Sequence, residues 1–214
     1  MYRTSRLVAV VTVATLLTSF LWLSAARIAR VSALKAFQGK TLSIVPSESK
    51  VSVLVGKAGL LSTLGHDHTI TARTFSGKIQ LAGSDAKNGS IELEFESASL
   101  RVADQGITEA DRSEIQKAME TEVLNVSQFP KISFKSTVTK GDGQNVSVEG
   151  DLTLHGVTKK ITVPVEVSLA GDRLRATGKV ALKQTDFGIK PYSKGGGSVK
   201  VKDEVVLNFQ IAAR

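Results

Sequence analysis

From Ile161 to Leu169 the chain alternates without a break. Ile161, Val163, Val165, Val167 and Leu169 are separated by Thr162, Pro164, Glu166 and Ser168. A period of two sends successive side chains to opposite faces, so this stretch reads as a strand and not a helix. The period recurs in Val51, Val53 and Val55, and in Ile91, Leu93 and Phe95 set between Glu92, Glu94 and Glu96. Ile132 and Phe134, Val146 and Val148, Leu152 and Leu154, and finally Val205, Leu207, Phe209 and Ile211 repeat it. Turn residues stand between the rows at Asn88–Gly89, Gly141–Asp142–Gly143, His155–Gly156 and Gly171–Asp172. Eight or nine strands joined mostly by short turns predict an antiparallel barrel or sandwich. Pro164 cannot donate to a ladder and predicts an edge or a bulge, while Gly77 and Gly150 predict sharp bends.

One segment breaks this rhythm. Thr108 followed by Asp111 has the form of a capping box, and Ile115, Ala118, Met119 and Val123 then share a helical face. The spacing predicts one short helix at about 109–121, packed across the barrel or its mouth as a lid or plug.

The N-terminus has another character. Arg3 and Arg6 precede an apolar run from Leu7 to Leu23, and Ser24–Ala25–Ala26 supplies small residues after it. This is the pattern of an export signal, expected to be cleaved, with an inner-membrane anchor through residues 7–23 as the alternative. The chain thus divides into a leader helix at 1–26, a basic linker at 27–40 and one domain at 41–214. Localisation in the periplasm or extracytoplasmic envelope follows, with membrane proximity through the N-terminal segment. Arg3, Arg6, Arg27, Arg30, Lys35 and Lys40 face no acidic residue within 1–40, and they carry most of the net charge of +8. The domain itself lacks the clustered positive charge of a duplex-binding surface, so no nucleic-acid partner is expected. The chain has no cysteine, which excludes disulfides, thiolate metal sites and cysteine nucleophiles.

Three motifs carry a family resemblance. They are Phe129–Pro130–Lys131–Ile132–Ser133–Phe134, the segment from Gly150–Asp151–Leu152–Thr153–Leu154 through His155–Gly156–Val157–Thr158–Lys159, and Asp186–Phe187–Gly188–Ile189. In order and spacing, over about 42–213, the chain resembles the YceI-like family. The resemblance implies an all-β fold, an eight-stranded antiparallel lipocalin-like barrel with the short helix near its mouth. It also implies a non-enzymatic lipid-binding protein that holds a polyprenyl lipid or quinone tail in the lumen, for carriage or sequestration in the cell envelope. No other cofactor is expected. The lumen would be lined by Val53, Val55, Leu60, Leu64, Ile91, Leu93, Phe95, Phe134, Val163, Val165, Leu207 and Phe209.

The stretch from Gly59 to His68 departs from the usual pattern of the family, ends in Gly65–His66–Asp67–His68, and looks like a variant subgroup. His66, Asp67, His68 and His155 are the polar candidates for the mouth. His66 and His68, two apart on an extended chain, share a face and could bind Zn²⁺ or Cu²⁺, with His155 as a third nitrogen. The other reading makes them braces at the barrel end or contacts to a ligand headgroup, and His155 a turn residue tolerant of unusual φ. No Gly-x-Ser-x-Gly elbow or phosphate-binding Gly-Lys loop is present. Besides the lipid-binding reading, a metal-binding or metal-dependent protein built on His66 and His68, or a filled-barrel envelope interaction module, stays open.

Overall fold

The computed structural model describes residues 39–59, 66–82 and 89–214. The leader and most of the linker, and with them Leu60 and Leu64, lie outside the described residues. Among those described, no helix is long and apolar enough to cross a membrane.

Residues Lys40–Arg214 form one unit, whose described residues make twelve strands and one α-helix. In order these are β1 (Lys40–Ser43), β2 (Lys50–Ala58), β3 (His68–Ala72), β4 (Phe75–Leu81), β5 (Ser90–Glu96) and β6 (Leu100–Val102). Then come α1 (Glu109–Ala118), β7 (Lys131–Asp142), β8 (Asn145–Leu154), β9 (Val157–Ala170), β10 (Arg173–Lys183), β11 (Ser193–Lys194) and β12 (Val199–Ala213). All pairings are antiparallel, in the order β1-β4-β5-β7-β8-β9-β10-β12-β2-β3-β6, with β11 on β12.

The strand count exceeds the eight expected because three long strands are each broken once. Pro46–Glu48 separates β1 from β2, Arg73 and Thr74 separate β3 from β4, and Ser97–Ser99 separates β5 from β6. Rejoined, and with the two-residue β11 set aside as an appendage of β12, the pieces give eight strands, and the sheet closes on itself. β12 pairs with β10 on one side and β2 on the other, and its end bonds to the end of β1 through Ser43 N to Arg214 O (2.8 Å) and Val45 N to Ala212 O (2.8 Å). Serines repair the breaks. Ser49 Oγ accepts from Ala212 N (2.9 Å) and donates to Val45 O (2.7 Å), and Ser99 Oγ accepts from Thr74 N (3.0 Å). A hydroxyl thus replaces a missing rung, as a buried backbone amide requires.

Gly150 stands where the β7–β8 ladder shifts register, between Ser136 and Val138, and the inward glycines also serve packing. A Cβ at Gly150 would lie 2.5 Å from Phe134 Cζ and 2.7 Å from Lys135 O, and one at Gly178 would lie 2.3 Å from Phe209 Cζ. These positions leave room for phenylalanine rings lying across neighbouring strands. Gly150→Ala should therefore destabilise by about 1–3 kcal/mol, the usual cost of overpacking, read as a lowered urea midpoint. An unchanged midpoint would show that the Phe134 ring turns aside freely.

Pro164 marks a discontinuity. The β9–β10 ladder runs from Ala170–Arg173 only to Val165–Gly178. The Pro164 carbonyl faces Gly178, and with no N–H beside it the proline cannot supply the next rung. β9 is therefore an edge over its first half, on the β10 side.

α1 starts as its sequence predicts. Thr108 Oγ1 accepts from Asp111 N (3.1 Å) and donates to the Asp111 carboxylate (2.7 Å). The helix then widens into a π-turn over Met119–Val123. Its side chains cover the open edge of β6. Gln116 donates to Leu100 O (2.8 Å) and accepts from Val102 N (2.9 Å), while Arg112 donates to Val102 O (3.2 Å). The opposite end of the barrel is filled by Leu42, Ile44, Val51, Leu81, Leu174 and Ala213. On the wet face of β5, Glu92 sits 3.0 Å from both Lys78 and Lys135. Their hydrogen bonds hold the Glu92 carboxyl below its usual range.

Candidate functional site

Between the filled end and the helical end lies a cavity of about 290 Å³. Its wall follows from the period of two, because each strand turns every second side chain inward. Of the residues expected to line a lumen, Val53, Val55, Ile91, Leu93, Phe95, Phe134, Val163, Val165, Leu207 and Phe209 all do so. The lid expected from the helical segment is there, while Leu124 and Ile189 were not among the lining residues expected. Met119, Val123 and Leu124 close the cavity from the π-turn, with Ile189 beside them. None of the described lining residues is charged, and the polar ones are Ser90, Thr139 and Gln184. Gln184 is turned outward to its backbone partner, donating to Lys202 O at 2.8 Å. Such a site offers dispersion and burial to an apolar guest and few polar groups to orient it.

The late motifs hold this roof in place. Phe187 and Ile189 are 2% and 3% exposed and pack with Leu152, Val157, Ile161 and Leu182. Phe187 thus fills the seam left where the β9–β10 ladder stops. The turn bearing it is anchored by Asp203, which accepts from Thr185 N (2.9 Å) and Thr185 Oγ1 (2.7 Å). Those bonds hold the Asp203 carboxyl below its ordinary value. Gly188 ends the turn with φ at 70°, where a side chain would be strained.

The polar candidates fall at the helical end, and none of them lines the cavity. His155 and Gly156 form the β8–β9 turn with φ of 51° and 76°, the primed geometry that suits a two-residue hairpin. The His155 ring lies 4.2 Å from the Phe129 ring. Asp67 accepts from Lys57 N at 2.9 Å. His68 opens β3, opposite Val55, and its Nδ1 lies 2.7 Å from Asp104 Oδ2. His66 Nε2 lies 3.5 Å from the same oxygen, and the two imidazoles meet edge to face at 4.7 Å. Asp104, just past β6, has a side chain only 2% exposed, and its Oδ1 accepts from Thr69 N at 2.6 Å. Among the described residues the cluster that could hold a metal ion is His66, His68 and Asp104. His155, a possible third nitrogen ligand in the metal reading, sits instead in the turn with positive φ that the other reading gave it, its ring tilted against Phe129.

Comparison with known proteins agrees with this architecture. A UPF0312 protein of Enterobacter sp. (strain 638) is 41% identical over 76 residues, 32% of this chain and 38% of its own length. Protein YceI of Escherichia coli O17:K52:H18 is 40% identical over 75 residues, again matching only 38% of that protein. BcnA of Burkholderia cenocepacia superposes with a TM-score of 0.65 at 22% identity, covering 80% of this chain and 99% of that one. A polyisoprenoid binding domain from Saccharophagus degradans, implicated in plant cell wall breakdown, gives 0.57 at 16% identity, covering 81% and 97%. At these identities the superpositions establish the fold. The sequence pattern of the YceI-like domain matches residues 42–213, nearly all of the barrel, and the chain therefore belongs to the YceI-like family.

Proposed function

We propose that this protein is a binding protein, not an enzyme, that holds an isoprenoid or similar long apolar chain in the barrel lumen. Carriage or sequestration of that chain in the cell envelope, after export directed by residues 1–26, completes the reading. The observation that carries it is the cavity, about 290 Å³ in volume and without a charged residue among its described lining. The polyisoprenoid binding domain of Saccharophagus degradans, which shares the fold, supports the choice of ligand class.

Magnitudes favour long chains. Each buried methylene contributes about 0.8 kcal/mol, so roughly ten are needed to reach the 8 kcal/mol of a micromolar complex. Association entropy raises that requirement further, so a short alkyl group would bind weakly.

Purification from the native host followed by mass spectrometry of an organic extract is the test. A long-chain isoprenoid at close to one per folded protein is expected. Extracts that repeatedly contain no apolar compound, from folded protein, would sink the reading.

A further inference from the structure

Three donor atoms converge beside the lid. One ligand atom each from His66, His68 and Asp104 lies within 4.8 Å of the other two. One shared proton accounts for the 2.7 Å contact between His68 Nδ1 and Asp104 Oδ2. His66 Nε2 is brought to 3.5 Å from the same oxygen. A neutral imidazole keeps a lone pair on one nitrogen, and an ionised carboxylate only accepts. Each of the three side chains therefore has an atom able to serve as a ligand to one shared cation.

The separations suit a metal. Two ligands about 2.0–2.1 Å from a tetrahedral zinc stand roughly 3.4 Å apart, close to the His66–Asp104 distance. His68 and Asp104 would have to part by less than about 1 Å to match that spacing. The site is also braced. The Thr69 N–H fixes the orientation of the carboxylate from Oδ1, the kind of outer support that metal ligands use. Arg112 is directed to backbone, donating to the carbonyls of Val102 (3.2 Å) and Asp104 (3.0 Å).

From this geometry we propose that His66, His68 and Asp104 bind one divalent transition-metal ion, Zn²⁺ foremost, through Nε2, Nδ1 and Oδ2. Two imidazoles and one carboxylate suit Zn²⁺ or Cu²⁺ and not Ca²⁺ or Mg²⁺, which take oxygen ligands. His66 is 48% exposed, so the fourth position faces solvent. The ion would join the approach to β3, β3 itself and the β6–α1 connection at one point. This site lies outside the lumen and stands or falls separately from lipid binding.

Calorimetric titration of tag-free, chelator-treated full-length protein with ZnCl₂ tests it. One ion per chain is expected, with His155→Ala binding like wild type. His66→Ala, at an exposed position, should keep the melting temperature of the metal-free protein. It should weaken zinc binding by at least about tenfold, the loss that even an outer-sphere partner causes. Co²⁺ in place of Zn²⁺ should give a visible ligand-field spectrum that His66→Ala removes. Absence of saturable one-to-one binding, or equal affinity in folded His66→Ala, overturns the proposal.

Discussion

Phe187→Ala should lower the free energy of unfolding by about 3–5 kcal/mol, the range for deleting a buried aromatic ring. Phe187 is 2% exposed, and its neighbours Leu152, Val157, Ile161 and Leu182 come from strands that cannot close up around a void. β8 and β9 are locked to each other by a full ladder, and β10 is locked to β12. The gap left by the ring therefore stays, and the cavity cost adds to the transfer cost. Water would also gain a path toward Ile161 and Leu182, both of which line the lumen. Urea denaturation followed by circular dichroism measures the loss. A change below about 1 kcal/mol, the scale of an ordinary surface-to-mild substitution, would mean that Phe187 does not hold the seam.

Val165→Trp should empty the protein of its apolar ligand while leaving it folded. Val165 faces the cavity between Val146 on β8 and Gly178 on β10. The space over Gly178 is taken by the Phe209 ring, so an indole at 165 has space only toward the lumen. Thr162→Trp on the exposed outer face of the same strand is the matched control. Ligand content by mass spectrometry should fall at least about tenfold in Val165→Trp, equivalent to 1.4 kcal/mol, and hold in the control. Full occupancy in a folded Val165→Trp protein would place the ligand elsewhere.

The wall of the site was open to reading because alternation is a local property. Ile91, Leu93 and Phe95 declare their shared face within five residues, and the strand pairing then brings that face to the lumen. α1 was legible for the same reason, since Thr108 and Asp111 cap it across three positions. The breaks were harder. Ser49 and Ser99 look like ordinary surface residues until the fold places the amides of Ala212 and Thr74 beside them. Asp104 was missed for a related reason. It lies 36 residues from His68, in the non-periodic stretch Ala103–Asp104–Gln105–Gly106, and only the β3–β6 pairing joins the two. The glycines were legible only in part. Gly150 stands opposite the register shift of the β7–β8 ladder, where a bend was expected, and it also leaves space for the Phe134 ring, which no local pattern announces.

The unpaired first half of β9 has a mechanical meaning. A closed hydrogen-bonded ring has a girth fixed by strand number and shear, and widening it means breaking rungs. Here, along Val157–Pro164, one joint of the ring is closed by side-chain contact instead of by rungs. Van der Waals contacts weaken gradually as surfaces slide, whereas a hydrogen bond fails over a fraction of an ångström. Beside its lid the barrel is therefore sealed by side-chain packing and not by backbone hydrogen bonds, so the fit of Phe187 and its neighbours decides how tightly the ring is closed there.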